Sequence, residues 1–231
     1  MKQLKADLHI HTADDPFDRI RYTSREIIER AAEEGFEVLA ITNHLVNCYS
    51  EDLAKFASDR GILLIPGTEG AIKRKHVLIL NMGRKAEEAQ SLEELKRVRE
   101  DGGLIIAPHP YFPSISSLRG EVEENLELFD ALEYCSYYFR WMNFNKRAVR
   151  KAKSFGIPLI ANSDSHVKWQ FGRTYSYIEA EKSVDGVIDA VKKGRVKIVS
   201  TPLDGSPDAI RLALRVAGIP KRLLWKKRES W

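Results

Sequence analysis

An α/β barrel is expected from this chain on three grounds. Apolar runs of strand length alternate with stretches of helical period about seven times, the pattern that wraps helices around parallel strands. Runs such as Val38-Leu39-Ala40-Ile41 and Leu104-Ile105-Ile106-Ala107 are apolar at every position, as strands covered on both faces are. No composition shift or Gly/Ser linker divides the 231 residues, so residues 1–231 are expected to form a single domain, with a basic tail from about residue 218. A doubly wound open sheet would give the same alternation and is the competing architecture.

The first strand is Asp7-Leu8-His9-Ile10-His11-Thr12. It alternates polar and apolar residues, so His9 and His11 project to one side. A polar, aspartate-rich loop covers Ala13 to Arg21. Thr23-Ser24 followed by Glu26 marks a helix start, and Ile27, Ile28, Ala31 and Ala32 form its apolar stripe up to Gly35. Val38 to Thr42 is a strand closed by Asn43-His44. Ser50 to Arg60 is a helix, Ile62 to Pro66 a strand ending in Gly67-Thr68-Glu69-Gly70, and His76 to Asn81 another strand. A helix from Ser91 to Glu100 precedes the strand Leu104 to Ala107 and its Pro108-His109-Pro110 terminus. The polar loop 111–120 is too long for a simple connection and belongs to a site rim. Ala131 to Cys135 is a strand, Asn143 to Phe155 a basic helix, and Pro158 to Ala161 a strand running into Asn162-Ser163-Asp164-Ser165-His166. The strand Thr174 to Ile178, helix Val184 to Lys193, strand Val196 to Ser200 and helix Pro207 to Ala217 complete the series.

Composition narrows the classes. With 43% hydrophobic and 30% charged residues the chain is that of a soluble globular protein. No apolar run approaches the roughly 20 residues of a membrane span, and the N-terminus lacks a signal core, so a cytoplasmic location is expected. Cys48 and Cys135 lack CxxC spacing, which argues against a disulfide framework. The net charge of +4 is a mild excess, and much of it sits in the tail, a solvated terminus rather than a nucleic-acid contact. Abundant Lys, Glu and Arg with Gln only at positions 3, 90 and 170 point to a thermophilic source.

The histidines carry the functional signal. Of the six, His9, His11, His44, His109 and His166 lie at or just beyond C-terminal strand ends, and His76 opens the strand after one. Glu69 and Asp164 hold equivalent positions. In an α/β barrel these ends converge on one face, which would gather eight metal-binding groups in one pocket. Imidazole mixed with carboxylate suits Zn, Mn or Fe better than Mg or Ca.

The set His9-Ile10-His11, Thr42-Asn43-His44, Gly67-Thr68-Glu69, His76, Pro108-His109-Pro110 and Asp164-Ser165-His166 resembles the polymerase and histidinol phosphatase (PHP) superfamily over residues 6 to about 180. The resemblance implies a distorted seven-stranded (β/α) barrel and two or three divalent metal ions that hydrolyse a phosphomonoester or phosphodiester. It implies one metal on His9, His11, Glu69 and Asp164, with Glu69 bridging to a second on His76 and His109. A third would sit on His44, His166 and a loop acid, Asp18, with Asp15 in competition. Relatives commonly read Thr-Asp-His where this chain has Thr42-Asn43-His44, which bears on how His44 is oriented.

Phosphate also needs cations around it. Arg173 in Gly172-Arg173-Thr174 is the expected clamp, with Arg119 and Arg140 as further candidates. His109 or His166 could double as a general acid, although a coordinated imidazole is poorly placed for that and a metal-bound water is the better proton source. Tyr111, Tyr137, Tyr138, Phe139 and Trp141 either stack a substrate ring or pack the loops. The substrate expected is a small phosphorylated metabolite such as histidinol phosphate, a nucleotide or an oligonucleotide. Two other readings compete: a noncatalytic RNA-binding barrel like the ribonuclease P protein subunit, which predicts lost ligands, and an amidohydrolase-like metal enzyme.

Overall fold

The computed structural model describes residues 1–217, so the basic tail expected from about residue 218 lies outside the described residues. The elements run β1 (Lys2–Ile10), α1 (Ser24–Glu33), β2 (Val38–Ile41), α2 (Glu51–Ser58), β3 (Leu63–Ile72), β4 (Lys75–Leu80), α3 (Arg84–Glu88), α4 (Leu92–Glu100) and β5 (Leu104–Ala107). They continue with α5 (Glu121–Glu124), β6 (Ala131–Tyr134), α6 (Asn145–Phe155), β7 (Leu159–Ala161), β8 (Thr174–Ala180), α7 (Val184–Lys192), β9 (Val196–Ser200) and α8 (Pro207–Val216). Local chemistry sets the helix starts. Thr23 caps α1 in a reciprocal box with Glu26, and Ser50, Ser91, Ser183 and Ser206 each accept a backbone N–H at the start of a later helix.

Among the described residues nine strands form one sheet, ordered β7-β6-β5-β4-β3-β2-β1-β8-β9. The seven strands expected are thus exceeded, and the strands are not all parallel. β4 runs against both β3 and β5, and β8 against both β1 and β9. For β4 the reason lies in two residues. β3 does not stop at Pro66 but continues to Ile72, and Lys73 and Arg74 then turn the chain with φ of 49° and 68°. Positive φ at both central positions is the tight hairpin turn usually marked by Asn-Gly, and neither residue advertises it. Gly67 lets the hairpin close, since a Cβ there would lie 2.4 Å from Leu80 Cδ2.

The apolar runs face two ways. Val38, Ala40, Leu78, Leu80, Leu104 and Ile106 pack into an inner core closed by Val187, Ile188 and Val191 of α7. Their alternates face the helices: Leu39 and Ile41 under α1 and α2, and Ile79, Ile105 and Ala107 under α3 to α6. Burial on both faces is why these strands are apolar throughout. No helix among the described residues is long and apolar enough to cross a membrane.

The sheet nearly closes between β7 and the β1–β8 pair, and polar groups bridge this seam. The Ser176 hydroxyl accepts from Ala161 N and donates to Ala161 O, both at 2.9 Å, while Asn162 Oδ1 accepts from Leu8 N at 2.9 Å. Ser176 is buried, so Ser176→Ala would strand two backbone groups away from water. A loss of about 2 kcal/mol is expected, read as a lower urea midpoint with unchanged m-value.

Candidate metal centre

The parallel strands end on one face, and the hairpin brings the start of β4 back to it. His9 lies in β1 with His11 just beyond, His44 follows β2, Glu69 lies in β3, His76 in β4, His109 after β5, and Asp164 and His166 after β7. All eight groups expected to converge therefore do so. His9, His11, Glu69, His109, Asp164 and His166 are buried, and His44 and His76 half-buried. A cavity of about 120 Å³ opens on them, lined by Asp18, His44, Glu69, His76, His109, Ser116, Asp164, His166, Arg215 and Val216.

Glu69 divides the cluster. Its Oε1 lies 2.8 Å from His76 Nδ1 and 3.2 Å from His109 Nε2, and its Oε2 lies 3.0 Å from His44 Nε2 and 3.4 Å from His11 Nε2. One carboxylate thus faces two imidazole pairs, the arrangement a bridging ligand needs. Among the described residues, four trios have ligand atoms within 4.8 Å of one another: His9-His11-Asp164, His11-His44-Glu69, Glu69-His76-His109 and Asp15-Asp18-His44. His166 stands with Asp18, its Nε2 3.0 Å from Oδ2, while His44 sides with Glu69 and Asp15.

Whether a cation fits can be judged from the ring nitrogens. His9 donates through Nδ1 to Glu133 Oε1 at 2.9 Å, and His11 through Nδ1 to Asp15 Oδ2 at 3.0 Å. Satisfying those carboxylates leaves each Nε2 with its lone pair outward, and the two Nε2 atoms are 3.1 Å apart. Asp164 Oδ1 lies 3.2 Å from His11 Nε2 and 3.4 Å from His9 Nε2, yet is buried without a hydrogen-bond partner. Three converging lone pairs repel unless a cation or a proton lies among them. The residues present fit a divalent metal.

Second contacts fix these rings. Glu133, buried in β6, takes His9 Nδ1 and Asn162 Nδ2 on Oε1 and His109 N on Oε2. Asp15 Oδ2 also accepts from His44 Nδ1 at 2.8 Å. Of the two competing loop acids, Asp15 thus hydrogen-bonds both His11 and His44, and Asp18 lines the cavity. The Asn43 side chain hydrogen-bonds away from the His44 ring: its amide joins Thr12 N, Thr12 Oγ1 and Cys48 Sγ, fixing the end of β1. Tyr137 OH contacts the Asp164 carbonyl and His166 Nδ1. His109 and Asp164 have φ of 31° and 46°, backbone strain of about 1–3 kcal/mol each that the surrounding contacts hold in place.

Several expectations for the rim are corrected. Arg173 does not line the cavity: its Nη2 donates to Pro202 O at 2.9 Å and the guanidinium lies over Trp169. Arg119 and Arg140 are exposed and do not line it either. Among the described residues the arginine that does is Arg215 of α8, which the sequence reading missed. Tyr111, Tyr137, Tyr138 and Phe139 are buried as packing, while Trp141 is 74% exposed and stacks on Phe139. Glu133 was also missed, although a lone acid inside a strand otherwise closed to water was a signal.

The fold and this cluster define a nearly closed α/β barrel whose strand ends gather a His/Asp/Glu cluster suited to divalent metal. A family model described as PHP-associated matches residues 143–196. An uncharacterized protein of Methanocaldococcus jannaschii is 31% identical over 157 residues, covering 64% of this chain and 91% of that one. A two-domain protein of Bacteroides vulgatus containing a predicted PHP-like metal-dependent phosphoesterase superposes with a TM-score of 0.69 at 19% identity, over 93% of this chain and 70% of the other. The lesion-specific endonuclease Q of Pyrococcus furiosus gives 0.61 at 19% identity, over 85% and 58%. The chain thus carries a PHP-associated segment and shares its fold with PHP-like metal-dependent phosphoesterases.

Two measurements follow. Burial lowers the His44 imidazole, but the Glu69 carboxylate overrides it and lifts the pKa from 6.5 to about 9; His9 and His11 are raised likewise by their carboxylates against burial. A raised imidazole stabilises the fold below its unfolded pKa and loses that contribution as pH climbs through the folded value. The metal-free protein is therefore expected to lose thermal stability between pH 6.5 and about 9, with the slope removed by added divalent metal; a flat metal-free profile would contradict the assignment. Glu133→Gln keeps the shape but weakens the anchor on His9, and should cost about 10–100-fold in metal affinity by calorimetry with native circular dichroism.

Proposed function

We propose that the protein is a metal-dependent phosphoesterase whose substrate is a small phosphorylated metabolite, a nucleotide or an oligonucleotide. The observation that carries this is the facing pair of His9 and His11 Nε2 atoms beside the partnerless Asp164 oxygen. Two or three bound transition ions, Zn, Mn or Fe by the mixed imidazole and carboxylate donors, would neutralise phosphate oxygens and acidify a water.

The chain's own residues do the rest. His9, His11 and Asp164 form one set of donors, Glu69 shares its two oxygens between this set and His76 with His109, and His44, His166 and Asp18 supply the third. Glu133 and Asp15 keep Nδ1 of His9, His11 and His44 occupied, so that each Nε2 stays free to coordinate. His109, clamped by Glu69 at Nε2 and by Ser117 Oγ at Nδ1, serves as a ligand rather than a proton donor. The walls are buried, so charge–charge interactions within the cavity are stronger than in water.

Likeness to a lesion-specific endonuclease keeps nucleic acid among the substrates to try; endonuclease Q has been captured with a duplex that carries an abasic lesion at the active site. A noncatalytic RNA-binding barrel has no use for an intact donor set. The test is phosphate release by metal-loaded protein from p-nitrophenyl phosphate, its bis-ester, histidinol phosphate, nucleotides and an abasic duplex, beside an amide panel. Chelation should abolish turnover, and Glu69→Gln should lower it by about a hundredfold or more. Metal-loaded protein inert on every phosphoester would overturn the proposal, and turnover of amides alone would transfer it to the amidohydrolases.

A further inference from the structure

We propose that Arg215 on α8 binds the phosphate oxygens of the substrate, and that α8 fits the cavity to terminal phosphate groups, making the enzyme a phosphomonoesterase. This rests on the phosphoesterase reading above and narrows its substrate class.

Among the described residues lining the cavity, Arg215 is the only arginine or lysine, and Val216 lies beside it on the same wall. Its Nη2 contacts Asp18 Oδ1 at 2.5 Å, while Asp18 Oδ2 lies 3.0 Å from His166 Nε2. The guanidinium thus stands one carboxylate away from the histidine cluster. A guanidinium has five N–H groups in a planar fork, and one contact to Asp18 leaves donors for oxygens in the cavity. The arginine expected from sequence for this task, Arg173, is turned to the Pro202 carbonyl instead.

The helix does not depend on Arg215 for its place. Leu212 packs with Phe112, Cys135 and Tyr137, and Ala209 and Ala213 pack with Phe139 and Leu203. The connector before α8 is pinned by Leu203 N donating to Tyr138 O at 2.8 Å. Those contacts hold α8 as a fixed wall over one side of the metal cluster. The remaining chamber, about 120 Å³, is well below the roughly 300–1,000 Å³ of a drug-sized pocket. It suits one small charged group whose organic part stays outside. A monoester meets that demand, with its phosphate dianion at one end of the molecule. A diester needs chain to leave the phosphorus on two sides, and α8 stands across one of them.

The experiment compares the metal-loaded full chain with Arg215→Ala and Arg215→Lys. Inorganic phosphate binding is read by calorimetry, and initial rates are measured on p-nitrophenyl phosphate and bis(p-nitrophenyl) phosphate. Arg215→Ala should bind phosphate about tenfold or more weakly, raise KM for the monoester, and shift the monoester-to-diester ratio about tenfold towards the diester. Arg215→Lys should recover part of the phosphate affinity, and the thermal midpoint should stay near wild type because a half-exposed ion pair is worth little. Should the alanine variant not fold, Arg215→Gln, of similar reach, gives the same comparison. Unchanged phosphate affinity and an unchanged ratio in a folded variant overturn the inference alone. A wild-type protein that hydrolyses neither ester overturns it together with the phosphoesterase reading.

Discussion

Two imidazole nitrogens 3.1 Å apart, Nε2 of His9 and Nε2 of His11, form the contact on which the rest of the site depends. The contact persists because the far side of each ring is tied to a buried carboxylate, Glu133 for His9 and Asp15 for His11. With Asp164 and Glu69 added, the pocket gathers four buried acids. Burying uncompensated carboxylates is costly, and Arg215, the one arginine at the wall among the described residues, is engaged by Asp18 at the rim. Protons on histidine can balance part of this charge up to the raised pKa of His44, about 9; divalent ions can balance it in their place. The structure is therefore arranged for positive charge at its centre, and its mixed imidazole and carboxylate donors suit a divalent metal.

The same constraint explains the unusual backbone around the site. Helix and strand dihedrals deliver side chains at fixed intervals, yet the ligands must converge on points a few ångströms wide. His109 and Asp164 reach them only with positive φ, and Leu45, directly after His44, shares that conformation. Glu133 takes His109 N as well as His9 Nδ1, so one carboxylate holds both a strained backbone and a ligating ring. Removing it would release both.

Much of this was legible in the residues, for a definable reason. Strand periodicity sets which side chains share a face, and the barrel sends every parallel strand end to the same rim, so His9, His11, His44, His109, Asp164 and His166 could be placed together before any coordinates. Thr23 and Glu26 likewise marked the start of α1 because capping is a local interaction. What escaped depended on long-range packing or on unmarked turns. Lys73 and Arg74 form a turn that ordinarily asks for Asn-Gly, so the direction of β4 was hidden, while the nine strands themselves could be read one by one and only the family resemblance suggested seven. Arg215 lies almost 200 positions from Asp18, and nothing in its neighbourhood distinguishes it from the other basic residues of a surface helix. Arg173 drew attention by following the Asp164-Ser165-His166 motif, but proximity in sequence gave way to the Pro202 carbonyl.

Fold and chemistry meet at Asn162. Its Oδ1 accepts from Leu8 N across the seam that nearly closes the barrel, and its Nδ2 donates to Glu133 Oε1 at 2.9 Å. The same carboxylate oxygen receives His9 Nδ1, so a single side chain links the closure of the sheet to the orientation of a ligating imidazole. Closure therefore does more than complete the core. It sets the tautomer of His9, because Glu133 can accept only if the proton is on Nδ1. Metal bound at Nε2 would in turn hold His9 against Glu133, Glu133 against Asn162, and Asn162 against β1. Occupation of the centre and closure of the barrel are then one linked equilibrium, which accounts for a polar seam in a place where an apolar one would have sufficed for packing alone.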